Sequence, residues 1–368
     1  MTNDKPLPIK ILLAPFAMLY WLGTSVRNWL FEIGVLSQQK FEHLTVISIG
    51  NISMGGTGKT PFTEHIVRML KEDNNVAILS RGYKRKTRGF RLATTESTVS
   101  EIGDEPYQMK QKFPDVSVGV DAKRTRGIER MLQEVNPRPD VFVLDDAFQH
   151  RYVKPDITIL LVDYNNLVTN DHIFPIGRLR EPLSAKDRAN IVVVTKCPAD
   201  VKPIDLRIIG KELNLYPYQT LYFTTIDYQQ ITPLFPGNAD SLTSADLASY
   251  KALCVSGIAK PELFEEYSST ICKEIKPLRY ADHHNFKKKN YQKMLEELAL
   301  MGKDDTIVLT TEKDAMRMKC DDNLPQELKH KIYYIPLEIR LVNNDDLFTK
   351  QIREYVNKNK QYLRISEE

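Results

Sequence analysis

The stretch Val46-Ile-Ser-Ile-Gly-Asn-Ile-Ser-Met-Gly-Gly-Thr-Gly-Lys-Thr-Pro61 decides the fold. An apolar run leads into a glycine-rich turn, and the turn ends in Gly-Lys-Thr where the pattern predicts the start of a helix. In such a turn, backbone N–H groups converge on phosphate oxygens and the helix N-terminus adds partial positive charge. The order of strand, turn and helix therefore predicts a phosphate-binding loop made by Gly55, Gly56, Thr57 and Gly58.

Two side chains complete the chemistry of this loop. The pattern predicts that the Lys59 ammonium reaches the β- and γ-phosphates of a nucleotide and that the Thr60 hydroxyl coordinates Mg²⁺. Ser53 stands six positions before the lysine, where the strict GxxxxGK[ST] pattern has glycine. The loop is therefore an atypical member of its broad class.

Two adjacent acids, Asp145 and Asp146, follow the apolar run 141–144. A metal-bound triphosphate requires a carboxylate at the end of a neighbouring strand, which holds Mg²⁺ directly or through water. Because successive side chains of an extended chain point to opposite faces, we expect the two acids to take different roles. The pattern leaves open which of them is the direct ligand.

The rest of the chain predicts an α/β fold, with a P-loop NTPase-type parallel sheet covered by helices. Short, nearly continuous apolar runs alternate with helical stretches, as buried parallel strands require. The predicted strands are 44–49, 76–79, 141–144, 157–162, 191–195, 253–256, 307–310 and 332–335, and the predicted helices of the second half are 261–271, 290–301 and 345–357.

Proline, glycine and small polar residues interrupt this pattern between residues 225 and 249, which predicts a domain junction. We therefore predict an N-terminal apolar segment at 1–40, a P-loop domain at 41–245 and a second, smaller α/β domain at 246–368.

The N-terminal segment has no charged side chain from residue 11 to residue 26. This run is shorter than the roughly 20 residues of a spanning helix, and Pro15 interrupts it. Trp21 and Trp29 favour a membrane-associated helix that lies in the interface. A secretory signal without a convincing cleavage site and a core helix of the first domain are the alternatives.

Composition excludes several classes of protein. The 51 basic and 48 acidic residues leave a net charge of +3, which is too balanced for a whole-surface nucleic-acid binder. The four cysteines form no CxxC pair, which argues against a zinc site or a disulfide framework and indicates a reducing, cytosolic compartment.

The nucleotide base is predicted from a second segment. Guanine-specific P-loop proteins carry Asn/Thr-Lys-x-Asp after a late strand, whereas Thr195-Lys-Cys-Pro198 has proline in place of that acid, so we expect ATP. ATPases related to the cell-division-site and arsenite-pump proteins have a similar loop with a lysine where Met54 stands. This difference argues against the rival hypothesis of a membrane-associated ATPase switch that controls a partner protein.

Several segments together resemble one family, the tetraacyldisaccharide 4′-kinases, in which glycine stands at the position of Ala147. The resemblance implies transfer of the ATP γ-phosphoryl group, with Mg²⁺, to the 4′-hydroxyl of an acylated glucosamine disaccharide 1-phosphate in lipid A (lipopolysaccharide) biosynthesis. The matching segments are Gly50-Asn51, Gly55-Gly-Thr-Gly-Lys-Thr-Pro61, Ser80-Arg-Gly-Tyr83, Gly103-Asp-Glu-Pro106, Leu144-Asp-Asp-Ala-Phe-Gln-His150, Gly177-Arg-Leu-Arg-Glu-Pro182, Ser256-Gly-Ile-Ala259, Asp282-His-His284 and Thr310-Thr-Glu-Lys-Asp314.

The resemblance also implies roles for single residues. Asp104 is the implied base, assisted by a histidine, and we choose His283 over His284 because it directly follows an aspartate. Together with Lys59 these are the predicted catalytic residues. Glu181 is implied to complete the Mg²⁺ shell of Thr60 and Asp145 or Asp146. Substrate contacts are implied for Arg81, Tyr83, Arg124, Gln149, His150, Arg178 and Arg180, and residues 311–314 are candidates for adenine contacts.

The implied substrate is a lipid, and each buried CH₂ group contributes about 0.8 kcal/mol to its retention in the bilayer. We therefore expect a peripheral enzyme at the cytoplasmic face of the bacterial inner membrane, with the membrane surface and the lipid as partners. No obligate protein partner is predicted.

Overall fold

A computed structural model describes residues 5–237, 242–302, 305–342 and 345–367. The strands of these residues are β1 (Thr45–Gly50), β2 (Val76–Ser80), β3 (Arg91–Leu92), β4 (Ser117–Val120), β5 (Val141–Leu144), β6 (Ile157–Asp163), β7 (Ile191–Cys197), β8 (Thr220–Tyr228), β9 (Thr232–Pro233), β10 (Lys251–Ser256), β11 (Glu274–Arg279), β12 (Thr306–Thr311), β13 (Ile332–Ile335) and β14 (Leu337–Leu341).

The helices of the same residues are α1 (Leu7–Glu32), α2 (Lys59–Leu70), α3 (Val99–Ile102), α4 (Asp104–Lys112), α5 (Arg124–Glu134), α6 (Pro203–Leu213), α7 (Ser244–Leu247), α8 (Glu262–Ile271), α9 (Lys288–Met301), α10 (Glu312–Lys319), α11 (Gln326–Lys329) and α12 (Asp345–Glu367). Two 3-10 helices span Val168–Asn170 and Leu183–Arg188.

The larger sheet contains nine of the described strands, in the order β14-β8-β7-β6-β1-β5-β2-β4-β3. Its inner pairs are parallel, and the two edge strands β14 and β3 are antiparallel to their neighbours. Strands β1 and β5 are buried along their whole length, as apolar parallel strands covered by helices must be. Because β1, β2 and β5 are neighbours, the loops at their carboxyl ends meet at one edge of the sheet, where ligands bind in such folds.

The smaller sheet contains five of the described strands, in the order β11-β10-β12-β13-β9. This arrangement confirms the predicted α/β class with its P-loop sheet. The sheets do not follow the predicted boundary at residue 245, however. Strand β9 joins the smaller sheet, and β14 pairs with β8 of the larger sheet through residues 224–228 and 337–341. The chain therefore crosses between the sheets at both ends of the predicted second domain.

Helix α1 is one continuous helix of 26 residues. The prediction that Pro15 interrupts this segment is wrong, because a long helix can lose the single hydrogen bond that proline removes and still continue. The helix is long and apolar enough to cross a membrane, by length and composition. Its buried residues are Ala17, Asn28 and Phe31, so it is not a core helix.

Candidate active site

The phosphate loop joins β1 to α2, as the sequence predicts. Gly58 precedes the first residue of α2 and has a φ of +78°, a conformation that glycine adopts without strain. The Thr57 hydroxyl accepts a hydrogen bond from Asn51 Nδ2 (2.8 Å), and the Thr57 carbonyl oxygen accepts one from the Thr195 hydroxyl (2.9 Å). The loop is therefore fixed from two sides before any ligand binds.

Lys59 and Arg180 both point toward Asp146, the second acid after β5. The Lys59 Nζ atom lies 3.7 Å and the Arg180 Nη1 atom 3.5 Å from Asp146 Oδ1. Asp146 has a φ of +45°, so the extended strand has ended and the chain turns there. The carboxylate is half-buried and lies beside the phosphate loop.

Asp145 lies deeper than Asp146. Its two carboxylate oxygens accept hydrogen bonds from the hydroxyls of Thr63 and Ser80, each at 3.2 Å. Burial, together with the charges of Glu105 and Asp146, raises the pKa of Asp145 to about 7. The two acids therefore differ in environment, although strand alternation does not explain the difference, because the strand ends at Leu144.

Glu181 has one hydrogen-bonded carboxylate oxygen and one without a partner. Its Oε2 atom accepts hydrogen bonds from Asn28 Nδ2 (2.9 Å) and Arg188 Nη2 (2.8 Å), while its Oε1 atom is buried without a hydrogen-bond partner. In the described parts of the chain, no group of three or more His, Cys, Asp and Glu side chains could hold a metal. The expected role of Glu181 in the Mg²⁺ shell with Asp145 or Asp146 stays a prediction.

The oxygen donors near the phosphate loop fit Mg²⁺ bound together with a nucleotide. Mg²⁺ usually takes one or two carboxylates and completes its octahedron with phosphate oxygens and water, so an all-protein cage is not required. The hydroxyl of Thr60 in the first turn of α2 and the adjacent acids Asp145 and Asp146 supply such a partial set. The unpartnered oxygen of Glu181 is a further candidate ligand atom.

Asp104 is the first residue of α4 and follows Gly103, which has a φ of +93°. A Cβ atom on Gly103 would lie 3.0 Å from the Tyr83 carbonyl oxygen and 3.2 Å from Gly82. The loop after β2 and the start of α4 thus pack backbone against backbone. Ser80 of β2 also contacts Asp145, so these segments lie at the same sheet edge as the phosphate loop.

The Asp104 carboxylate is surrounded by nitrogen donors. Its Oδ2 atom lies 2.8 Å from His283 Nδ1 and 2.5 Å from Arg317 Nη2, and Lys313 Nζ lies at 3.9 Å. Burial alone raises the pKa of Asp104, but the His283 hydrogen bond and the charges of Lys313 and Arg317 outweigh it. The pKa therefore lies well below its usual range. Asp104 is an ionised hydrogen-bond acceptor at neutral pH.

The structure brings His283 to Asp104 and leaves His284 elsewhere. His283 has a φ of +57°, and its backbone N–H donates to the Gly257 carbonyl oxygen. The centroid of its ring lies 5.3 Å from that of Tyr83. His284 instead stacks on Tyr280, with ring centroids 4.6 Å apart. The second sheet therefore supplies the partner of Asp104 from the loop after β11.

Residues 311–314 build the surroundings of Asp104, and the suggestion that they contact adenine has no support in this arrangement. Thr311 and Asp314 cap the start of α10, where Asp314 also accepts a hydrogen bond from the Gly257 N–H (2.8 Å). Lys313 Nζ contacts Glu105 at 2.9 Å. Side-chain and backbone hydrogen bonds thus occupy the polar groups that would otherwise be available to a base.

The side chains predicted to contact substrate fall into three groups. Some are exposed, some lie next to Asp146 or the phosphate loop, and some are buried or bound by the protein itself. Arg81 and Tyr83 are exposed in the loop after β2, and the ring of Tyr83 faces that of His283, the partner of Asp104. Arg180 lies against Asp146, whereas Arg178 is held by Asp171 (3.0 Å) and Asn166 (2.7 Å) next to the phosphate loop.

Arg124 does not face a cleft, contrary to the prediction of a direct substrate contact. It is only 1% exposed, and its guanidinium donates to the carbonyl oxygens of Asp121 (2.6 Å) and Asp145 (3.0 Å). Burial lowers its pKa to about 10. Arg124 supports the backbone at the two acids.

Gln149 and His150 are also occupied by the protein itself. Gln149 Nε2 donates to the Asn51 carbonyl oxygen (2.7 Å), and the Gln149 carbonyl oxygen accepts a hydrogen bond from Arg27 (2.7 Å). Burial and the charge of Arg124 lower the pKa of His150 to about 4, so it is neutral at pH 7. Both residues connect the turn that carries Asp145 and Asp146 to neighbouring segments.

Sequence reasoning missed Arg317, the closest cation to Asp104. It lies on α10, and it also donates to Asp314 Oδ1 (2.7 Å) and the Gly257 carbonyl oxygen (3.2 Å). The one available signal was its helical spacing of three and four residues from Asp314 and Lys313, which places all three near one another on a helix.

The chain is similar to known proteins over most of its length. Residues 9–357 match the family model described as tetraacyldisaccharide-1-P 4′-kinase. The chain is 46% identical to the tetraacyldisaccharide 4′-kinase of Phocaeicola vulgatus, with 94% of this chain and 95% of the relative covered. It is 41% identical to the protein of the same name from Flavobacterium johnsoniae, with 95% and 98% covered.

A solved structure is similar over nearly the whole chain. The crystal structure of Aquifex aeolicus LpxK in complex with ATP superposes with a TM-score of 0.73 at 27% identity. The superposition covers 95% of this chain and 99% of that one.

Proposed function

The chain belongs to the tetraacyldisaccharide-1-P 4′-kinase family, and from this membership we propose how its residues phosphorylate the acylated disaccharide. The reaction is transfer of the ATP γ-phosphoryl group to the 4′-hydroxyl of an acylated glucosamine disaccharide 1-phosphate, the lipid A precursor. One observation carries the proposal. The phosphate loop with Asp145 and Asp146 lies at the same sheet edge as the ionised carboxylate of Asp104.

On the nucleotide side, the phosphate loop and Lys59 bind the β- and γ-phosphates of ATP. Thr60, Asp145 and Asp146 would hold Mg²⁺, with the free oxygen of Glu181 as a further ligand. When bound, Mg²⁺ neutralises charge on the transferring and leaving phosphate oxygens. Arg180 lies beside Asp146, where its guanidinium is available to phosphate charge.

On the acceptor side, Asp104 orients the 4′-hydroxyl and accepts its proton as the new O–P bond forms and the bond from the γ-phosphorus to ADP breaks. The transition state is loose, so a base of low pKa suffices when it is correctly positioned. His283 fixes the Asp104 carboxylate through its Nδ1 atom. Arg81 and Tyr83, exposed in the loop after β2, are proposed to contact the sugar phosphate of the acceptor.

Helix α1 is proposed to bring the enzyme to its lipid substrate. One side of the helix is attached to the protein, because Tyr20 donates to the Arg180 carbonyl oxygen (3.0 Å) and Asn28 to Glu181 (2.9 Å). The opposite side exposes large apolar side chains such as Leu19 and Leu22. A helix attached along one side lies in the membrane interface, which fits a peripheral enzyme at the cytoplasmic leaflet of the inner membrane.

The test of this function uses γ-labelled ATP, Mg²⁺ and the acylated disaccharide 1-phosphate. We expect a bisphosphorylated lipid with label at the 4′ position and one ADP released for each lipid phosphorylated. ADP release that is unaffected by the lipid acceptor would contradict the proposal and favour an ATPase.

A further inference from the structure

Three helices of the two halves of this site meet in a buried ionic cluster away from the reacting groups. We propose that the central lysine of this cluster, Lys112, is a positioning residue that keeps the acceptor base Asp104 in register with the phosphate loop. The inference rests on the proposed role of Asp104. It assigns to Lys112 an effect on phosphoryl transfer that is separate from ATP binding.

The cluster consists of Glu64, Gln108, Lys112 and Glu312, called the Lys112 cluster below. Lys112 Nζ lies 2.7 Å from Glu64 Oε2 and 2.9 Å from Glu312 Oε1. Gln108 Nε2 donates to the other Glu64 oxygen at 2.9 Å. One ammonium group thus bridges two carboxylates, Glu64 on α2 beside the larger sheet and Glu312 on α10 beside the smaller sheet.

All members of the cluster are shielded from water. Glu64 and Gln108 are buried, Glu312 is 7% exposed, and the Lys112 side chain is 19% exposed. Burial alone lowers the pKa of Lys112, but the Glu64 and Glu312 charges outweigh it, so its pKa lies above the usual value. The Lys112 ammonium is therefore charged at neutral pH, whereas burial raises the pKa of Glu64 to about 7 against the opposing charge of Lys112. Ion pairs in such surroundings are weakly screened by solvent.

Helices α2 and α4 begin in the active site, and α10 reaches it through Arg317. Helix α2 starts at Lys59 of the phosphate loop, and Thr63, the residue before Glu64, contacts Asp145. Helix α4 starts at Asp104 and ends at Lys112. Helix α10 carries Glu312 at its first position. The cluster therefore joins the three helices at positions away from the parts that face the ligands.

Helices α4 and α10 are tied at both ends. At one end Arg317 of α10 contacts Asp104, and at the other Glu312 of α10 contacts Lys112. Lys313 and Glu105 form a further pair between them (2.9 Å). Lys112 extends this connection to α2 as an ion pair with Glu64, and Gln108 adds a neutral hydrogen bond to the same carboxylate. Loss of Lys112 would leave the base attached to α10 but would remove the described ionic link from that pair of helices to the phosphate-loop helix.

The experiment compares two variants. The first is Lys112→Met, and the second is a neutral triple variant that combines Glu64→Gln, Lys112→Met and Glu312→Gln. Lys112→Met leaves two buried carboxylates without their cation, so it lowers the thermal midpoint, whereas the triple variant removes the unpaired charges and regains stability. ATP affinity, the KM for the lipid acceptor, kcat and the thermal midpoint are measured for each.

We expect ATP affinity to change by less than about threefold in both variants, because the phosphate loop is untouched, while kcat falls about tenfold or more through misplacement of the base. The triple variant keeps this low kcat although its thermal midpoint recovers. Lys71→Met is the matched control. It removes a lysine that pairs with Asp115 (3.0 Å) between the same two helical regions without reaching α10, so kcat stays unchanged.

Recovery of kcat together with the thermal midpoint in the triple variant would overturn the proposal, because the cluster would then serve stability alone. Equal losses of ATP affinity and kcat in Lys112→Met would also overturn it. Failure of the proposed function is distinguishable, because it appears as normal turnover in Asp104→Ala whatever Lys112→Met does.

Discussion

The two halves of the active site are built in different ways. The phosphate side comes largely from one continuous segment, in which β1, the loop and the start of α2 follow each other within residues 45–60. The acceptor side consists of Asp104, His283, Lys313 and Arg317, which come from three separate parts of the chain. These parts lie beside both sheets. The comparison teaches that nucleotide binding depends on local backbone geometry, whereas acceptor chemistry depends on how the two sheets pack.

The largest expected effect lies on the phosphate side. Lys59→Met removes the cation that reaches the phosphates, so we expect kcat to fall about 10³-fold and ATP binding to weaken as well. Equilibrium ATP binding and turnover with the lipid acceptor measure both quantities. Undiminished ATP affinity would break the comparison, because Lys59 would then act on the transfer step alone.

Glu181→Gln sharpens the description of the phosphate side. If the free oxygen of Glu181 binds Mg²⁺, we expect the Mg²⁺ concentration for half-maximal activity to rise about tenfold or more. A Mg²⁺ titration of initial rates checks this. Glu212→Gln is the control, because Glu212 contacts Thr169 (2.6 Å) and not the acids of the site. An unchanged titration would remove Glu181 from the metal shell.

The acceptor side is expected to contribute to stability in a pH-dependent way. The pKa of Asp104 is lowered in the folded protein by its nitrogen partners, so its ionised form stabilises the fold above the ordinary aspartate pKa. This contribution is lost as the pH falls from about 4 toward the lower folded pKa. We expect Asp104→Asn to lower the free energy of unfolding by about 2 kcal/mol at pH 7.

Denaturant unfolding at pH 7 and in acid checks this prediction, and the difference from wild type should shrink as the pH falls below about 4. Asp115→Asn, at an exposed carboxylate that pairs with Lys71, is the control and should change stability little. A destabilisation by Asp104→Asn that is independent of pH would mean that packing, not charge, holds the acceptor side together.

The smallest expected effect concerns the exposed apolar side of α1. Leu19→Ser with Leu22→Ser removes exposed apolar area without touching the attached side of the helix. We expect weaker flotation with anionic vesicles and normal turnover of detergent-dispersed lipid. Unchanged flotation would contradict the interfacial role of α1.

The sequence predicted the phosphate side well because its signal is local. Glycines, Lys59 and the apolar run before Asp145 each have a fixed place relative to a strand end, and the structure has β1, β5 and α2 there. Strands with little continuous apolar character were missed. Strand β11, with the sequence Glu-Ile-Lys-Pro-Leu-Arg, lies at a sheet edge, where polar residues and proline are tolerated.

The acceptor side could be predicted only in part. Family resemblance selected Asp104 and His283, and the structure brings them within 2.8 Å. The contacts of Arg317 with Asp104 and of Lys112 with Glu312 could not be predicted, because the partners are about 200 residues apart in sequence and meet through the packing of α4 on α10. Arg124 was assigned to substrate because the sequence does not reveal whether a guanidinium is buried.

The most direct test of this account measures ATP affinity and 4′-phosphoryl transfer in Asp104→Ala. Because Asp104 lies on the acceptor side, we predict unchanged ATP affinity with transfer reduced about 10²- to 10⁴-fold, the usual contribution of a positioned base. Near-normal transfer, or a parallel loss of ATP binding, would contradict the division of the site into a phosphate side and an acceptor side.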